Sequence, residues 1–365
     1  MKIAIIGTRG IPNHYGGFEQ FAEYLSLGLV QRGYEVTVYN SHAHPFQEKA
    51  WNGVDIIHCY DPEEKMGTAG QFIYDFNCIL DTRKRNFDII LQLGYTSSSV
   101  WGWLLPRRKS IVTTNMDGLE WKRSKYSKKV QKFLQYAEKL GVKYSDYLIA
   151  DSVGIQSYLK DKYKKDAIFI PYGAHIFLQP SKEILKQYGL LPHTYNMLIA
   201  RLEPENSIEI ILDGVVKSGN TATFLVIGKH ETVYGTYLKN KFRDSRNIKF
   251  IGGVYNIEAL NNLRHYSNLY FHGHTVGGTN PSLLEAMASQ ALVCANDNIF
   301  NKSILGEDAY YFENSDGVAE VIRKIKKAQH FDKITNNEEK VRTLYDWVKI
   351  VNQYDHYFSS IKNSL

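Results

Sequence analysis

A glycine-rich segment near residue 280 has the composition of an anion-binding site. Asparagine is a favourable N-cap and proline suits the first helical position, so the sequence predicts a helix that begins at Pro281. The amides from Gly278 to Ser282 would then point at a phosphate or diphosphate. The full segment is His272-Gly273-His274-Thr275-Val276-Gly277-Gly278-Thr279-Asn280-Pro281-Ser282-Leu283-Leu284-Glu285-Ala286-Met287-Ala288.

Five side chains could complete such a site. Glu285, in the second turn of the predicted helix, could accept hydrogen bonds from the hydroxyls of a ribose. Arg201 follows a predicted strand at 197–200, where its guanidinium suits a phosphate or, alternatively, forms a surface ion pair. Lys229 follows the next predicted strand and could add positive charge. His272 and His274 lack a nearby third metal ligand, so we expect them to contact a sugar or acceptor, or to be hydrogen-bonded core histidines.

A second glycine-rich loop follows the first predicted strand. Gly16 and Gly17 would let backbone amides approach a diphosphate, or would merely form a tight turn. The loop is not G-x-G-x-x-G, and no acidic residue closes the second strand, which disfavours a nicotinamide cofactor. No D-x-D occurs either, so we expect neither a metal nor another cofactor. Arginine, lysine and helix dipoles would instead neutralise a leaving diphosphate.

Short apolar runs alternate with helical spacing along the chain, which predicts a doubly wound α/β fold. The alternation restarts after a turn-rich break at 171–192, so we expect two Rossmann-like domains, 1–175 and 176–344. The C-terminal helix at 345–365 would pack back on the first. Ligands bind at the carboxyl ends of such strands, which places the expected site in a cleft between the domains.

Positive charge is concentrated in one segment. Residues 106–165 carry a net charge of +9, against +6 for the whole chain. The cluster could be a solvated helix face, or it could bind nucleic acid or an anionic membrane. Because no nucleic-acid motif accompanies it, we favour a peripheral membrane surface and no nucleic-acid partner. The densest part of the cluster comprises Lys122, Arg123, Lys125, Lys128, Lys129 and Lys132.

Two features of the sequence bear on the location of the protein. No apolar run reaches the ~18 residues of a membrane-spanning helix. The three cysteines are widely spaced and odd in number, which favours a reduced, cytoplasmic protein.

Together these motifs resemble those of the GT-B-fold retaining glycosyltransferases of family 4, and more narrowly of bacterial rhamnosyltransferases that build capsule and cell-wall polysaccharides. The resemblance implies two Rossmann-like domains facing a central cleft. It also implies transfer of a sugar, as L-rhamnose from dTDP-rhamnose, to a saccharide acceptor that is lipid-linked at the inner face of the cell membrane. The residues that carry it are Gly7–Pro12, Tyr15–Glu19, Met116–Trp121, Ala150–Ser152, Ala200–Asn206 and His272–Ala288.

The resemblance also implies roles. Arg201 and Glu285 would be catalytic, the first on the diphosphate and the second on the ribose, while Gly277 to Leu283 would line the donor. Asp117 would be the third catalytic residue and, with the nearby Asn115, would orient the acceptor hydroxyl or the sugar.

Three positions depart from the family pattern. Gly277 stands where the family has the first glutamate of Glu-x7-Glu, and Asn206 stands where it has a lysine. The usual histidine of the acceptor loop is replaced within 115–117. Two alternatives therefore stay open, namely another hexosyltransferase or epimerase and a non-catalytic saccharide-binding protein.

Overall fold

The computed structural model describes residues 1–116, 118–123 and 125–363. Asp117, one of the predicted catalytic residues, lies outside the described residues. Contacts within the chain divide it into two units. Unit 1 comprises Met1–Lys122, Tyr126–Tyr172 and Trp347–Leu365, and unit 2 comprises Arg123–Lys125 and Gly173–Asp346. The change of unit thus falls at 172/173, where the sequence suggested 175/176, and the short segment 123–125 groups with unit 2.

The elements alternate as strand and helix through most of the chain. The strands are β1 (Lys2–Ile6), β2 (Glu35–Ser41), β3 (Ala50–Trp51), β4 (Val54–Cys59), β5 (Ile89–Leu93), β6 (Ile111–Asn115), β7 (Tyr147–Ala150), β8 (Ile168–Phe169), β9 (Tyr195–Ile199), β10 (Thr223–Ile227), β11 (Ile248–Gly252), β12 (Leu269–His272), β13 (Val293–Asn296) and β14 (Tyr310–Phe312). The α-helices are α1 (Gly17–Val30), α2 (Glu63–Met66), α3 (Ala69–Thr82), α4 (Lys128–Tyr144), α5 (Val153–Tyr163), α6 (Glu183–Lys186), α7 (Ile208–Ser218), α8 (Val233–Lys241), α9 (Ile257–Tyr266), α10 (Pro281–Ala288), α11 (Ile299–Leu305), α12 (Ser315–Lys324), α13 (Phe331–Lys340) and α14 (Trp347–Asn363).

Unit 1 is built on a sheet in the order β3-β4-β2-β1-β5-β6-β7-β8. Its strands are parallel except β3, which runs antiparallel to β4 at the edge. The central strands β1 and β5 are apolar along most of their length, with Ile3, Ile5 and Ile90 fully buried, because helices cover both faces of such a sheet. The strand order reverses between β1 and β5, which makes that edge the topological switch point.

The last helix belongs to unit 1. Val351 on α14 packs against Gly28 on α1, and the rings of Tyr354 and Phe21 lie 5.5 Å apart. Tyr34 donates a hydrogen bond to Asp355 on the same helix. The aromatic residues at the end of the chain therefore complete the core over α1.

Unit 2 is built on an entirely parallel sheet in the order β11-β10-β9-β12-β13-β14. The chain starts in the middle at β9, moves outward to β11 and then crosses to β12 and onward. Its switch point lies between β9 and β12, whose buried residues pair directly as Tyr270 with Met197. The loops that leave these two strands meet at one edge, where ligands of this topology bind.

The doubly wound α/β class that the sequence predicted is confirmed, but three strands were missed. In β4 the polar residues Asp55 and His58 interrupt the apolar run, and β3 and β14 are only two and three residues long. Such short or broken patterns carry little periodic signal. Within the described residues, no helix has both the length and the apolar character that crossing a membrane requires.

Candidate functional site

Two loops meet at the switch point of unit 2. The loop after β9 passes through a 3-10 turn, Pro204–Asn206, and the loop after β12 leads to α10. The backbone N–H and the hydroxyl of Thr275 both donate to the Glu205 carbonyl, at 3.2 and 2.8 Å. A Cβ at Gly273 would stand 2.1 Å from the Asn206 carbonyl oxygen, so only glycine permits this approach. The two loops are therefore joined by backbone contacts.

Helix α10 begins where the sequence predicted. Pro281 is its first residue, and the Asn280 side chain accepts a hydrogen bond from the Ser282 amide at 2.9 Å. The Leu283 amide donates to the Asn280 carbonyl. The predicted cap is thus confirmed. The sequence analysis had assigned the Ser282 amide to a diphosphate, but in this structure that amide donates to the Asn280 side chain. The candidate backbone donors for a diphosphate are therefore those that precede Ser282 in the loop.

Glu285 is held by an arginine that the sequence analysis missed. The Arg264 guanidinium donates to Glu285 Oε2 at 2.6 Å and to Ser282 Oγ at 3.1 Å. Arg264 is 1% exposed, whereas 18% of the Glu285 side chain remains exposed. The sequence does contain a pattern that could have identified Arg264. It lies four residues after Leu260 in α9, on the buried face of an amphipathic helix. A cation on an apolar helix face predicts a buried anion nearby.

The two histidines of the segment are stacked and neutral. Their ring centroids lie 4.4 Å apart with an interplanar angle of 15°. Burial, followed by the neighbouring His274, holds the pKa of His272 well below its usual range. Burial, with the guanidiniums of Arg201 and Arg123, lowers the pKa of His274 to about 3. Both rings therefore stay uncharged at neutral pH.

For three of the four ring nitrogens, the described residues provide no hydrogen bond, which disfavours the interpretation as hydrogen-bonded core histidines. Both ring nitrogens of His272 and Nδ1 of His274 are buried without a hydrogen-bond partner among the described residues. The His274 carbonyl is nevertheless anchored, because the side-chain amides of Asn298 and Asn301 donate to it. The rings are thus held in place with buried polar atoms that the described residues leave unsatisfied.

The predicted cations lie at the same sheet edge. Arg201 is exposed at the end of β9, and Lys229 is exposed after the neighbouring strand β10. Asn206, which replaces the lysine of the family pattern, donates from its side-chain amide to the Arg201 carbonyl at 2.7 Å. Asn206 therefore shapes the loop that carries Arg201 and adds no charge to it.

The backbone explains why position 277 is a glycine. Its φ is +135°, a conformation that side chains rarely adopt, although a Cβ there would meet no atom within 4 Å. A glutamate at this position would have room but a strained backbone. The presence of glycine at position 277, in place of the glutamate of the pattern that the sequence resembles, is thus explained by the backbone conformation of this loop.

The predicted residues of unit 1 lie at the corresponding edge of the other sheet. Gly16 is the N-cap of α1, Gly17 is its first residue, and Asn115 ends β6 with 1% exposure. The nearby Glu19 accepts hydrogen bonds from the Thr8 hydroxyl and the Arg9 amide.

The basic cluster is divided in the structure. Arg123 and Lys125 form ion pairs within unit 2, with Glu205 at 3.6 Å and Glu203 at 3.4 Å, and the Arg123 side chain is largely covered. Four of the six predicted cations stay exposed in unit 1, namely Lys122, Lys128, Lys129 and Lys132. The cationic surface is therefore smaller than the sequence suggested.

No group of three or more potential metal ligands comes together among residues 1–116, 118–123 and 125–363. Activity without a metal or other cofactor stays a prediction.

Comparisons with known proteins concern the family and the fold. Residues 1–175 match a family model described as a domain of unknown function, DUF1972. No curated protein matches the chain.

Similar solved structures cover the whole chain. Sucrose-phosphate synthase from Thermosynechococcus elongatus is 17% identical with a TM-score of 0.82, over 100% of both chains. Anabaena HepE in complex with UDP and glucose is 17% identical with a TM-score of 0.75, over 99% of this chain and 100% of its own. An α,α-trehalose 6-phosphate synthase from Burkholderia multivorans is 11% identical with a TM-score of 0.72, over 100% and 99%. These likenesses confirm that the chain has the GT-B fold.

Proposed function

We propose that this protein is a glycosyltransferase that moves a sugar from a nucleotide-diphosphate donor to a saccharide acceptor. The observation that carries the proposal is the convergence, at the switch point of unit 2, of Arg201, the cap of α10 and the Arg264–Glu285 pair. Similar structures support it, since HepE has been solved with UDP and with UDP-glucose. The resemblance in sequence narrows the donor to dTDP-rhamnose.

The donor would bind through its diphosphate and its ribose. Arg201 and Lys229 would offset the negative charge of the diphosphate, together with the amides that precede the α10 cap. Arg264 orients the Glu285 carboxylate, which would accept hydrogen bonds from the ribose hydroxyls. The neutral rings of His272 and His274 would hydrogen-bond uncharged sugar hydroxyls, because each ring offers both a donor and an acceptor.

The transfer step follows from this arrangement. The acceptor hydroxyl oxygen bonds to the anomeric carbon while the bond from that carbon to the diphosphate oxygen breaks. The bonding electrons leave with the diphosphate, and the hydroxyl proton passes to the leaving oxygen. The new bond would form on the face that the leaving group vacates, which retains the configuration. Asn115 and Asp117 are proposed to orient the acceptor.

The acceptor is proposed to be a lipid-linked saccharide at the inner face of the cell membrane, in surface-polysaccharide synthesis. The exposed face of α4 supports this, since Val130, Phe133 and Tyr136 are 39, 36 and 56% exposed. Lysines flank them on the same helix. Each lysine near an anionic leaflet contributes ~1 kcal/mol, so binding to phosphatidylglycerol vesicles should fall as salt rises.

Turnover of a panel of nucleotide sugars tests the function. We expect Arg201→Ala and Glu285→Ala each to lower kcat by ~10²–10³-fold with the true donor. Arg243→Ala is the matched control, since that side chain is 77% exposed in the same unit. Wild-type turnover in both site variants would refute the assignment.

The two alternatives predict different outcomes of the same assay. An epimerase would release an isomerised sugar nucleotide without an acceptor. A saccharide-binding protein would leave every donor intact and bind neither UDP nor dTDP in calorimetry. Transfer to an added acceptor, with release of the nucleotide diphosphate, excludes an epimerase and a saccharide-binding protein. The donor that supports the transfer distinguishes a rhamnosyltransferase from another hexosyltransferase.

A further inference from the structure

Unit 1 contains an open groove that the donor site does not use. Its volume is about 430 Å³, and it lies between a 3-10 turn at Glu120–Lys122 and the first half of α4. None of its three lysines forms an ion pair with another described residue. The groove is lined by Trp121, Lys122, Lys128, Gln131, Lys132 and Gln135.

Two of the lysines lie in the first turns of α4, where positive charge is electrostatically unfavourable. Lys128 is the first residue of α4, and the first turn of this helix contains no acidic residue. The positive end of the helix dipole lies there, so an anion is stabilised and a cation is not. Lys128 and Lys132 are also four residues apart on one face, which brings like charges together. A bound anion would relieve both repulsions.

Trp121, the aromatic residue of the groove, is fixed by a hydrogen bond to a buried carboxylate. The Trp121 indole N–H donates to Glu138 Oε2 at 3.1 Å, and Glu138 is 1% exposed. The same carboxylate accepts from Tyr158 at 2.8 Å, Tyr163 at 2.6 Å and Lys162 at 2.8 Å. The indole is thus in position before a ligand arrives, which lowers the entropic cost of binding.

The chemistry of the lining indicates one class of ligand. Ammonium groups suit the oxygens of a phosphoryl group, and a fixed indole suits the apolar C–H face of a sugar ring. The amides of Gln131 and Gln135 can hydrogen-bond sugar hydroxyls. We propose that this groove binds a phosphorylated saccharide, with the phosphoryl group on the lysines and the sugar on Trp121. Within the proposed function, this ligand would be the acceptor; that assignment rests on the proposed function, whereas the binding itself does not.

Calorimetry on the full chain at low salt tests the binding, with glucose 1-phosphate, inorganic phosphate and glucose as probes. We expect glucose 1-phosphate to bind more tightly than phosphate, and glucose to bind least. The variant Lys122→Gln/Lys128→Gln/Lys132→Gln should bind glucose 1-phosphate at least about tenfold more weakly, since each charged hydrogen bond contributes that order. The charge-matched control Arg108→Gln/Lys109→Gln/Lys165→Gln removes exposed cations of the same unit and should bind as wild type does.

A second variant separates the sugar from the phosphate. Trp121→Phe keeps a ring but loses the hydrogen bond to Glu138, so the preference for glucose 1-phosphate over phosphate should shrink. Retained phosphate binding in this variant shows that the groove is still folded. An unchanged preference would overturn the role given to Trp121.

Three results would overturn the proposal. The first is equal weakening in the groove variant and its control. The second is vesicle binding lost in the groove variant while the wild type binds no sugar phosphate, which assigns the lysines to a lipid surface. The third is glucose 1-phosphate binding that Arg201→Ala abolishes, which assigns the probe to unit 2.

The proposed function is tested separately by UDP, whose binding should be weakened by Arg201→Ala and not by the groove variant. If both variants bound UDP as the wild type does, the result would count against the proposed donor site. It would not affect the proposal for the groove.

Discussion

The switch-point edges of the two sheets differ in which polar groups are satisfied, since unit 1 keeps buried amide oxygens of Gln92 and Asn115 without a partner among the described residues. In unit 1, Arg9 makes a bidentate ion pair with Glu63 at 2.7 and 2.9 Å, and the Asn40 side chain bonds both the amide and the carbonyl of Ile11. In unit 2, His272 and His274 keep buried ring nitrogens without partners among the described residues.

Topology therefore places a site, but side chains decide whether it can receive a ligand. The glycine loop of unit 1 follows its strand just as the loop of unit 2 does. Its Arg9 and Glu19 are already engaged with neighbours in the same unit. We therefore propose the edge of unit 2 as the donor site, on the strength of its Arg264–Glu285 pair and its two neutral histidine rings.

The largest effect is expected at the buried pair of unit 2. Arg264→Met should destabilise the protein by ~3–5 kcal/mol, because it removes the buried guanidinium that neutralises the Glu285 carboxylate. Urea unfolding followed by circular dichroism measures the loss. The double variant Arg264→Met/Glu285→Met should recover most of it, since no charge is then left unpaired. Equal losses in both variants would show that packing, and not charge, dominates at this pair.

The next effect concerns the edge of unit 1. Asp75 is buried and accepts a hydrogen bond from Ser97 at 2.5 Å. Burial raises its pKa to about 7; Ser97 and Arg9 oppose this and Asp61 adds to it. A carboxyl whose pKa is raised on folding favours the folded state at low pH, and that stability is lost as pH rises from about 4 to 7.

Asp75→Asn should therefore be more stable than the wild type at pH 8, by roughly 2–4 kcal/mol, with a difference that shrinks toward pH 4. Thermal unfolding across this range, compared between the two proteins, checks the sign. A difference that does not change with pH would mean that Asp75 keeps its ordinary pKa.

A smaller effect is expected where the two loops of unit 2 meet. Gly273→Ala should push the loop after β12 away from Asn206, cost ~1–3 kcal/mol and weaken UDP binding through the lost Thr275 contacts. Gly317→Ala is the control, because this glycine lies in α12 of the same unit and a Cβ there would meet other atoms only at 3.7 Å or more. UDP binding that is equally weakened in the control would remove the special role of this approach.

The smallest effect is expected at an exposed ion pair. Arg107 and Asp146 lie 2.6 Å apart in unit 1, with side chains 41 and 25% exposed. Arg107→Ala should change stability by no more than about 1 kcal/mol, since solvent screens such pairs. Unfolding in urea at two salt concentrations tests this against the buried pair of unit 2.

Much of the candidate site could be predicted because its signals are local. Asn280-Pro281 predicted the start of α10, and the apolar run before Arg201 predicted the strand that carries it. Caps and strand periodicity depend on neighbours within a few residues, so the sequence displays them. Arg264 was missed because it lies 21 residues from Glu285 and meets it only after α9 and α10 pack together.

By itself, the sequence determined the alternation of strands and helices, the position of the glycine loops and the two domains that follow from them. The tertiary structure alone decided which polar groups are satisfied. It decided the partner of Glu285, the pairing of Arg9 with Glu63, and the buried ring nitrogens of His272 and His274 that have no partner among the described residues. Burial and pairing across a fold arise from residues far apart in the chain. The free energy of a polar group depends on those surroundings more than on its sequence neighbours.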